Sequence, residues 1–189
     1  MCTKWRQAGV TLIELVIFIV IVGLAVAGTL AVMNVTIRHS SDPLMRKQAI
    51  AVAESLMEEI VLHPFTYCDP DDPNLTGANS SADCTGGAGG ANDESLLVKQ
   101  AGESRYSNTT PLDNVGDYNG FTMTGITEID GTAITELANY NAAVAITNVG
   151  ATFGLAATEA LQIIVTVTSG AESVSLTSYR FRYAPKDAP

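Results

Sequence analysis

The sequence predicts an α+β fold, a long N-terminal helix packed on an antiparallel β-sheet domain, and three observations predict it. Residues 9–37 form an apolar run that holds a single acidic residue, Glu14. Residues 45–60 then carry apolar side chains at spacings of three and four, the period of one helix face. The last third of the chain contains strand-like runs, the final two joined by a short turn with a glycine. At 189 residues there is room for one globular domain beside the helix.

The helix is justified first by its length. No side chain ionises across residues 15–37, which as a helix measure about 34 Å, enough to cross a hydrocarbon core of ~30 Å. A carboxylate just inside such a segment costs roughly 2–3 kcal/mol unless it lies near the interface or meets a cation. Glu14 therefore calls for a partner, and an amine created by cleavage at Gly9 is one.

GVTLIE at residues 9–14, behind a short leader with Lys4 and Arg6, resembles the class III signal of type IV prepilins and type II secretion pseudopilins. The resemblance implies that a prepilin peptidase cuts after Gly9 and methylates the new N-terminal residue, Val10, which stands where the family usually carries Phe. It implies that Glu14 makes the assembly salt bridge with a neighbouring N-terminal amine. The implied partners are other major and minor pilins, an inner-membrane assembly platform and membrane lipid. Two plainer readings use the same residues. One is a secretory signal cleaved after Ala25, Val26 and Ala27, against which apolar character continues ten residues further. The other is an ordinary single-pass anchor, which leaves Glu14 unexplained.

Lys4 and Arg6 place the N-terminus on the cytoplasmic side and send the domain to the opposite, periplasmic side of a bacterial inner membrane. Loss of the leader takes the formal charge from −10 to −12. So few Lys and Arg argue against nucleic acid as a partner. Cys2 belongs to the leader, which leaves Cys68 and Cys84 as a pair in an oxidising compartment, where a disulfide is expected. Free thiols or a metal site are the alternatives.

Taken in order, residues 1–9 are the leader and residues 10–62 one helical stem, with residues 10–37 in the membrane and a break near Asp42 and Pro43. Met45, Ala49, Val52, Leu56 and Ile60 make its packing face, with Glu54, Glu58 and Glu59 largely outside it. The stem gives way at His63 and Pro64, since the residue before proline leaves helical geometry. His63 and His39 are the only histidines, too few for a catalytic dyad.

Residues 63–189 are the β-rich domain. Residues 66–95, rich in Asp, Asn, Gly, Ser and Pro, read as a solvated surface loop pinned by Cys68 and Cys84. Asp69, Asp71, Asp72 and Asn74 are a weak candidate for calcium, without the EF-hand spacing, and otherwise no cofactor is indicated. Residues 96–99 suggest a short strand. Asp113 and Asp117 read as turn formers or, more weakly, oxygen ligands. The stretch they sit in, DNVGDYNGF at residues 113–121, is similar to one in MSHA-type minor pilins, the MshD-like proteins. Strands are expected at residues 121–124, 143–149, 161–167 and 174–183, the last two as a hairpin. In the returning strand the apolar parity shifts from Val174 and Leu176 to Tyr179, Phe181 and Tyr183, which suggests a bulge, an edge or a doubly covered sheet.

No nucleotide-binding, hydrolase or metalloprotease motif stands where it would need to be, so an enzyme is not expected. The resemblance implies a structural minor pilin, with Ala31 where major pilins usually carry proline; a type II secretion pseudopilin is the alternative within the class. A membrane-tethered binding module is the alternative outside it.

Overall fold

The computed structural model describes residues 9–183, with backbone only for 35–42. The expected leader, apart from Gly9, lies outside the described residues. So do the side chains of His39 and Asp42.

Helix α1 spans Leu12–Leu62. It starts two residues later than expected and passes through Pro43 without interruption, because an interior proline removes one donor and the turns on either side keep theirs. The chain divides into two units just beyond that proline, one ending at Leu44 and the other beginning at Met45. The helix closes with a tightened last turn in which His63 N–H donates to Ile60 O at 3.2 Å, ahead of Pro64.

Within the second unit, the face of α1 that is fully buried is Ala49, Ala53, Leu56 and Ile60. Spacings of four, three and four keep these on one stripe. The stripe joins the buried side chains of the sheet in one apolar core. Met45 and Val52, expected on that face, sit at its margin and are only partly buried.

Four antiparallel strands form one sheet in sequential order: β1 Thr122–Thr124, β2 Asn141–Asn148, β3 Ala160–Ser169 and β4 Glu172–Phe181. Cross-strand pairs set the inner face, with Val165 opposite both Val144 and Leu176, and Val167 opposite both Ala142 and Val174. Leu161, Ile163, Val165 and Val167 of β3 are completely buried, as befits a strand flanked on both sides and covered by the helix.

The β3–β4 hairpin turns on Gly170 and Ala171, with Gly170 at φ +59°, the positive φ that a two-residue hairpin loop requires. Its register is unbroken from Ser169 opposite Glu172 to Ala160 opposite Phe181. The parity shift in β4 is therefore no bulge. Tyr179 and Phe181 point to the outer face of an edge strand, where Phe153 packs edge-on against both, at 5.6 and 5.1 Å between ring centroids.

Two expectations fail between the helix and the sheet. Residues 96–99 are not a strand: Glu94–Leu96 is a 3₁₀ turn capped by Asp93, and Leu97 takes a left-handed φ of 53°. The apolar side chains suggested a strand, but the Asp93 carboxylate, accepting from Ser95 N–H at 2.9 Å and Gly89 N–H at 2.7 Å, fixes a turn. Residues 66–95 are not simply solvated either. Cys68 and Cys84 are joined in a disulfide, and with Leu75 and Ala78 they form a small core of their own. The loop's carboxylates substitute for the apolar residues it lacks, because each can collect several backbone N–H groups at once.

Candidate functional site

Two regions have the composition of a site. The first is the N-terminal part of α1. Leu12–Asn34 has a mean hydropathy of 2.9 and is wholly unburied, long and apolar enough by length and composition to cross a membrane. Two of its polar side chains bond within the helix: Thr29 Oγ1 donates to Ala25 O at 2.9 Å and Asn34 Nδ2 to Leu30 O at 3.1 Å. Glu14 lies in the first turn and is exposed, as are Gly9 and Val10, which precede the helix in irregular chain. The junction after Gly9 is thus free of secondary structure. The apolar helix and the disulfide together mark a secreted or membrane protein.

The second region is a cluster of carboxylates in the globular unit. Asp69 comes from the disulfide loop, Glu94 from the turn Glu94–Leu96, Glu103 from the loop that follows, and Asp113 and Asp117 from the segment that precedes β1. Backbone pairing assembles them. Asp69 N–H donates to Asn92 O and Glu94 N–H to Tyr67 O, each at 3.1 Å, which lays residues 67–69 alongside residues 92–94. Asn114 and Asp117 form a capping box around the turn Val115–Tyr118, in which Asp117 Oδ2 accepts from Asn114 N–H at 2.7 Å and Asp113 N–H at 3.1 Å. Val115 N–H donates to Pro64 O at 3.1 Å, and Asn114 Nδ2 donates to Thr66 Oγ1 at 2.7 Å, docking that turn onto the start of the loop.

One carboxylate oxygen each from Asp69, Glu103 and Asp113 lies within 4.8 Å of the other two. Asp69, Glu94 and Asp117 are each only 1% exposed. Asp69 Oδ2, Asp113 Oδ1, Asp117 Oδ1 and both oxygens of Glu94 are buried without a hydrogen-bond partner. Among the described residues, Lys99 acts on Glu103 and Asp117, and Arg182 on Glu94. Among the described residues, five carboxylates gathered with Lys99 and Arg182 leave the cluster strongly acidic. Burial, and after it the charge of the neighbouring carboxylates, raises Glu103 and Asp113 to about 7. Glu94 is pushed further up by the same causes, and burial raises Asp69 and Asp117 against the N–H groups they accept from. The donor set is entirely hard oxygen, the chemistry of Ca²⁺ or Mg²⁺.

Of the calcium candidates read from the sequence, only Asp69 belongs to this cluster. Asp71 is exposed, with its N–H donating to Asp69 Oδ1 at 2.7 Å. Asp72 is consumed as an internal anchor, accepting from Asn74 N–H, Thr85 N–H and Asn92 Nδ2 at 2.7–2.8 Å. Burial pushes its carboxyl up, and these donors more than offset that, holding it below the usual carboxylate range. Glu103 carries no local signal, being a single acidic residue in a polar loop, and Glu94 follows Asp93 in a stretch whose composition reads as solvated. Asp113 and Asp117 are both turn formers and members of the cluster.

No protein-family model, curated protein or solved structure matches the chain. The helix face of the globular unit also borders an open cavity of about 680 Å³, with Val52, Leu56, Met123, Ile126, Ile134 and Leu137 among its lining.

The cluster predicts an inverted pH dependence. A carboxyl with a folded value near 7 and an unfolded value near 4 holds its proton more tightly when folded, so its contribution to stability is full below about pH 4 and is lost as pH rises through about 7. In chelator, the protein is expected to melt at a lower temperature at pH 8 than at pH 5. Equal or higher melting at pH 8 contradicts this.

Proposed function

We propose that this chain is a type IV pilin-like structural subunit, specifically a minor pilin resembling the MSHA type, and not an enzyme. One observation carries the reading: a lone carboxylate, Glu14, sits in the first turn of an exposed apolar segment, Leu12–Asn34, of a helix whose later turns pack on a four-stranded antiparallel sheet. In this reading the subunit waits in the inner membrane with its domain in the periplasm. Prepilin peptidase removes the leader after Gly9 and methylates Val10. Apolar stems, already out of water in lipid, then move into a helical bundle without exposing that surface again. Glu14 exchanges a costly membrane position for an ion pair with a neighbouring subunit's amine.

N-terminal sequencing of the mature protein tests the processing step. Methylated Val10 supports the pilin reading, Gly28 indicates a secretory signal, and Met1 indicates a plain anchor. Assembly is tested at Glu14. Glu14→Gln keeps the shape and eases residence in lipid, so insertion and processing should be normal, while loss of a charge-assisted contact worth about 1.5–3 kcal/mol lowers incorporation into fibres about tenfold or more. Incorporation equal to wild type, by immunoblot of sheared fibres, would contradict the role given to Glu14.

A pseudopilin of a type II secretion system shares all of these features. The reading from another class, a membrane-tethered binding module, draws on the apolar cavity beside α1, and it predicts Met1 at the mature N-terminus.

A further inference from the structure

We infer that Asp69, Glu103 and Asp113, supported by Asp117 and Glu94, form a calcium site that ties the disulfide loop to the segment preceding the sheet. The inference is independent of any role in a fibre.

The argument begins with unpaired atoms. A carboxylate buried without a donor costs several kcal/mol, and native proteins seldom leave one so. Among the described residues, five carboxylate oxygens from four side chains are buried and unpartnered, and all belong to the one cluster. Asp69 is almost completely buried, has one oxygen engaged by Asp71 N–H, and presents a ligand atom within 4.8 Å of those of Glu103 and Asp113. Oxygens that share a Ca²⁺ at 2.3–2.6 Å stand at most about 5 Å apart, so these three fit around a single ion.

Charge and ligand number decide between hard cations. Mg²⁺ demands near-ideal octahedral geometry, keeps several waters and usually takes one or two carboxylates. Ca²⁺ accepts an irregular shell of six to eight oxygens, carboxylates included. Three carboxylates meet at this point and two more lie beside it. Glu94 packs against Gly116, where an added Cβ would stand 3.2 Å from Glu94 Oε2, so it is held next to Asp117 in the turn Val115–Tyr118.

The consequence is structural. The carboxylates come from separate loops across residues 69–117, a region whose regular structure is four short 3₁₀ turns. Mutual repulsion would push these loops apart, and a divalent cation reverses its sign. Calcium thus does for this end of the domain what apolar burial does for the sheet.

The test uses the full chain in detergent micelles with its disulfide intact, stripped with EGTA and melted in 5 mM CaCl₂, 5 mM MgCl₂ or EGTA alone. Calcium should raise the melting temperature by about 5–10 °C, and magnesium by less than half as much. Equilibrium dialysis should find one calcium per chain. Asp113→Asn should lose most of the calcium shift yet melt above wild type in EGTA, because it removes one of the repelling charges. Asp71→Asn, at an exposed position outside the cluster, should keep the full shift. Should Asp113→Asn fail to fold, Glu103→Gln serves in its place under the same criteria. The inference is overturned if wild type shows no calcium shift or binds none, if magnesium acts equally, or if the neutralised variant shifts as wild type does.

Discussion

Replacing Glu59 with alanine is expected to destabilise the globular unit by about 3–5 kcal/mol, the usual cost of leaving half of a buried ion pair behind. Glu59 lies on α1 and receives both prongs of Arg105: Nε donates to Oε1 and Nη2 to Oε2, each at 2.7 Å. The two side chains are 17% and 7% exposed, so the contact is well shielded from water. Tyr118, buried in the core, donates its hydroxyl to the same Oε1 at 2.8 Å, and His63 Nε2 stands 3.2 Å from that hydroxyl. Removal of the carboxylate takes both charge-assisted bonds from the guanidinium, which keeps the carbonyls of Thr127 and Glu128 and the ring face of Tyr106, and leaves the buried phenol with His63 Nε2 as its remaining partner among the described residues. Glu59→Gln, which keeps the shape and one acceptor, should cost about half as much. A double replacement, Glu59→Met with Arg105→Leu, should recover most of the loss, because paired removal leaves no orphaned charge. Chemical denaturation of wild type, Glu59→Met, Arg105→Leu and the double variant gives the coupling energy directly; a loss below about 1 kcal/mol for Glu59→Ala would mean that the pair is effectively solvated.

Arg182→Ala should cost about 3–4 kcal/mol, seen as a fall of roughly 10 °C in melting temperature. Arg182 follows the last strand, and its guanidinium stacks on Phe65 at 3.8 Å and Tyr67 at 4.5 Å from the ring centroids. It donates to the carbonyls of Phe65, Thr66 and Thr158, and Glu159 stands at ion-pair distance, 3.9 Å. One side chain thereby fastens the end of the sheet to the start of the disulfide loop. Lysine supplies charge without a planar fork, so Arg182→Lys should recover less than half of the loss. Because the clamp holds residues 65–67, next to Cys68, the alanine variant should also be reduced faster by dithiothreitol. Unchanged melting together with unchanged reduction would show that the loop is held by the small core around its disulfide alone.

Neither of these residues announced itself in the sequence. In sequence Glu59 falls with Glu54 and Glu58 largely outside the packing face of the helix, and Arg182 belongs to no motif. The two partners of the first pair are 46 residues apart, and Arg182 is 116 residues from Thr66. No local pattern encodes separations of that size. The same holds for the acidic cluster. Asp69, Asp71 and Asp72 read together as a candidate because they are neighbours in sequence, yet the structure turns Asp72 inward on its own loop and leaves Asp71 in water.

What the sequence determined by itself is whatever depends on short-range period and chemistry. The apolar segment with Glu14 is legible because an uninterrupted hydrophobic run needs no tertiary context. The helix face at Ala49, Leu56 and Ile60, the strands and the Gly170 hairpin are legible because periods of 3.6 and 2 are written within a dozen residues. The Cys68–Cys84 bridge was legible from compartment and count. Only the tertiary structure decided which polar side chains are buried. Composition suggests that a loop of Asp, Asn and Gly is solvated, but burial of a carboxylate depends on which distant N–H groups, arginines and other carboxylates the fold brings to it, and those are chosen by chain closure over tens of residues.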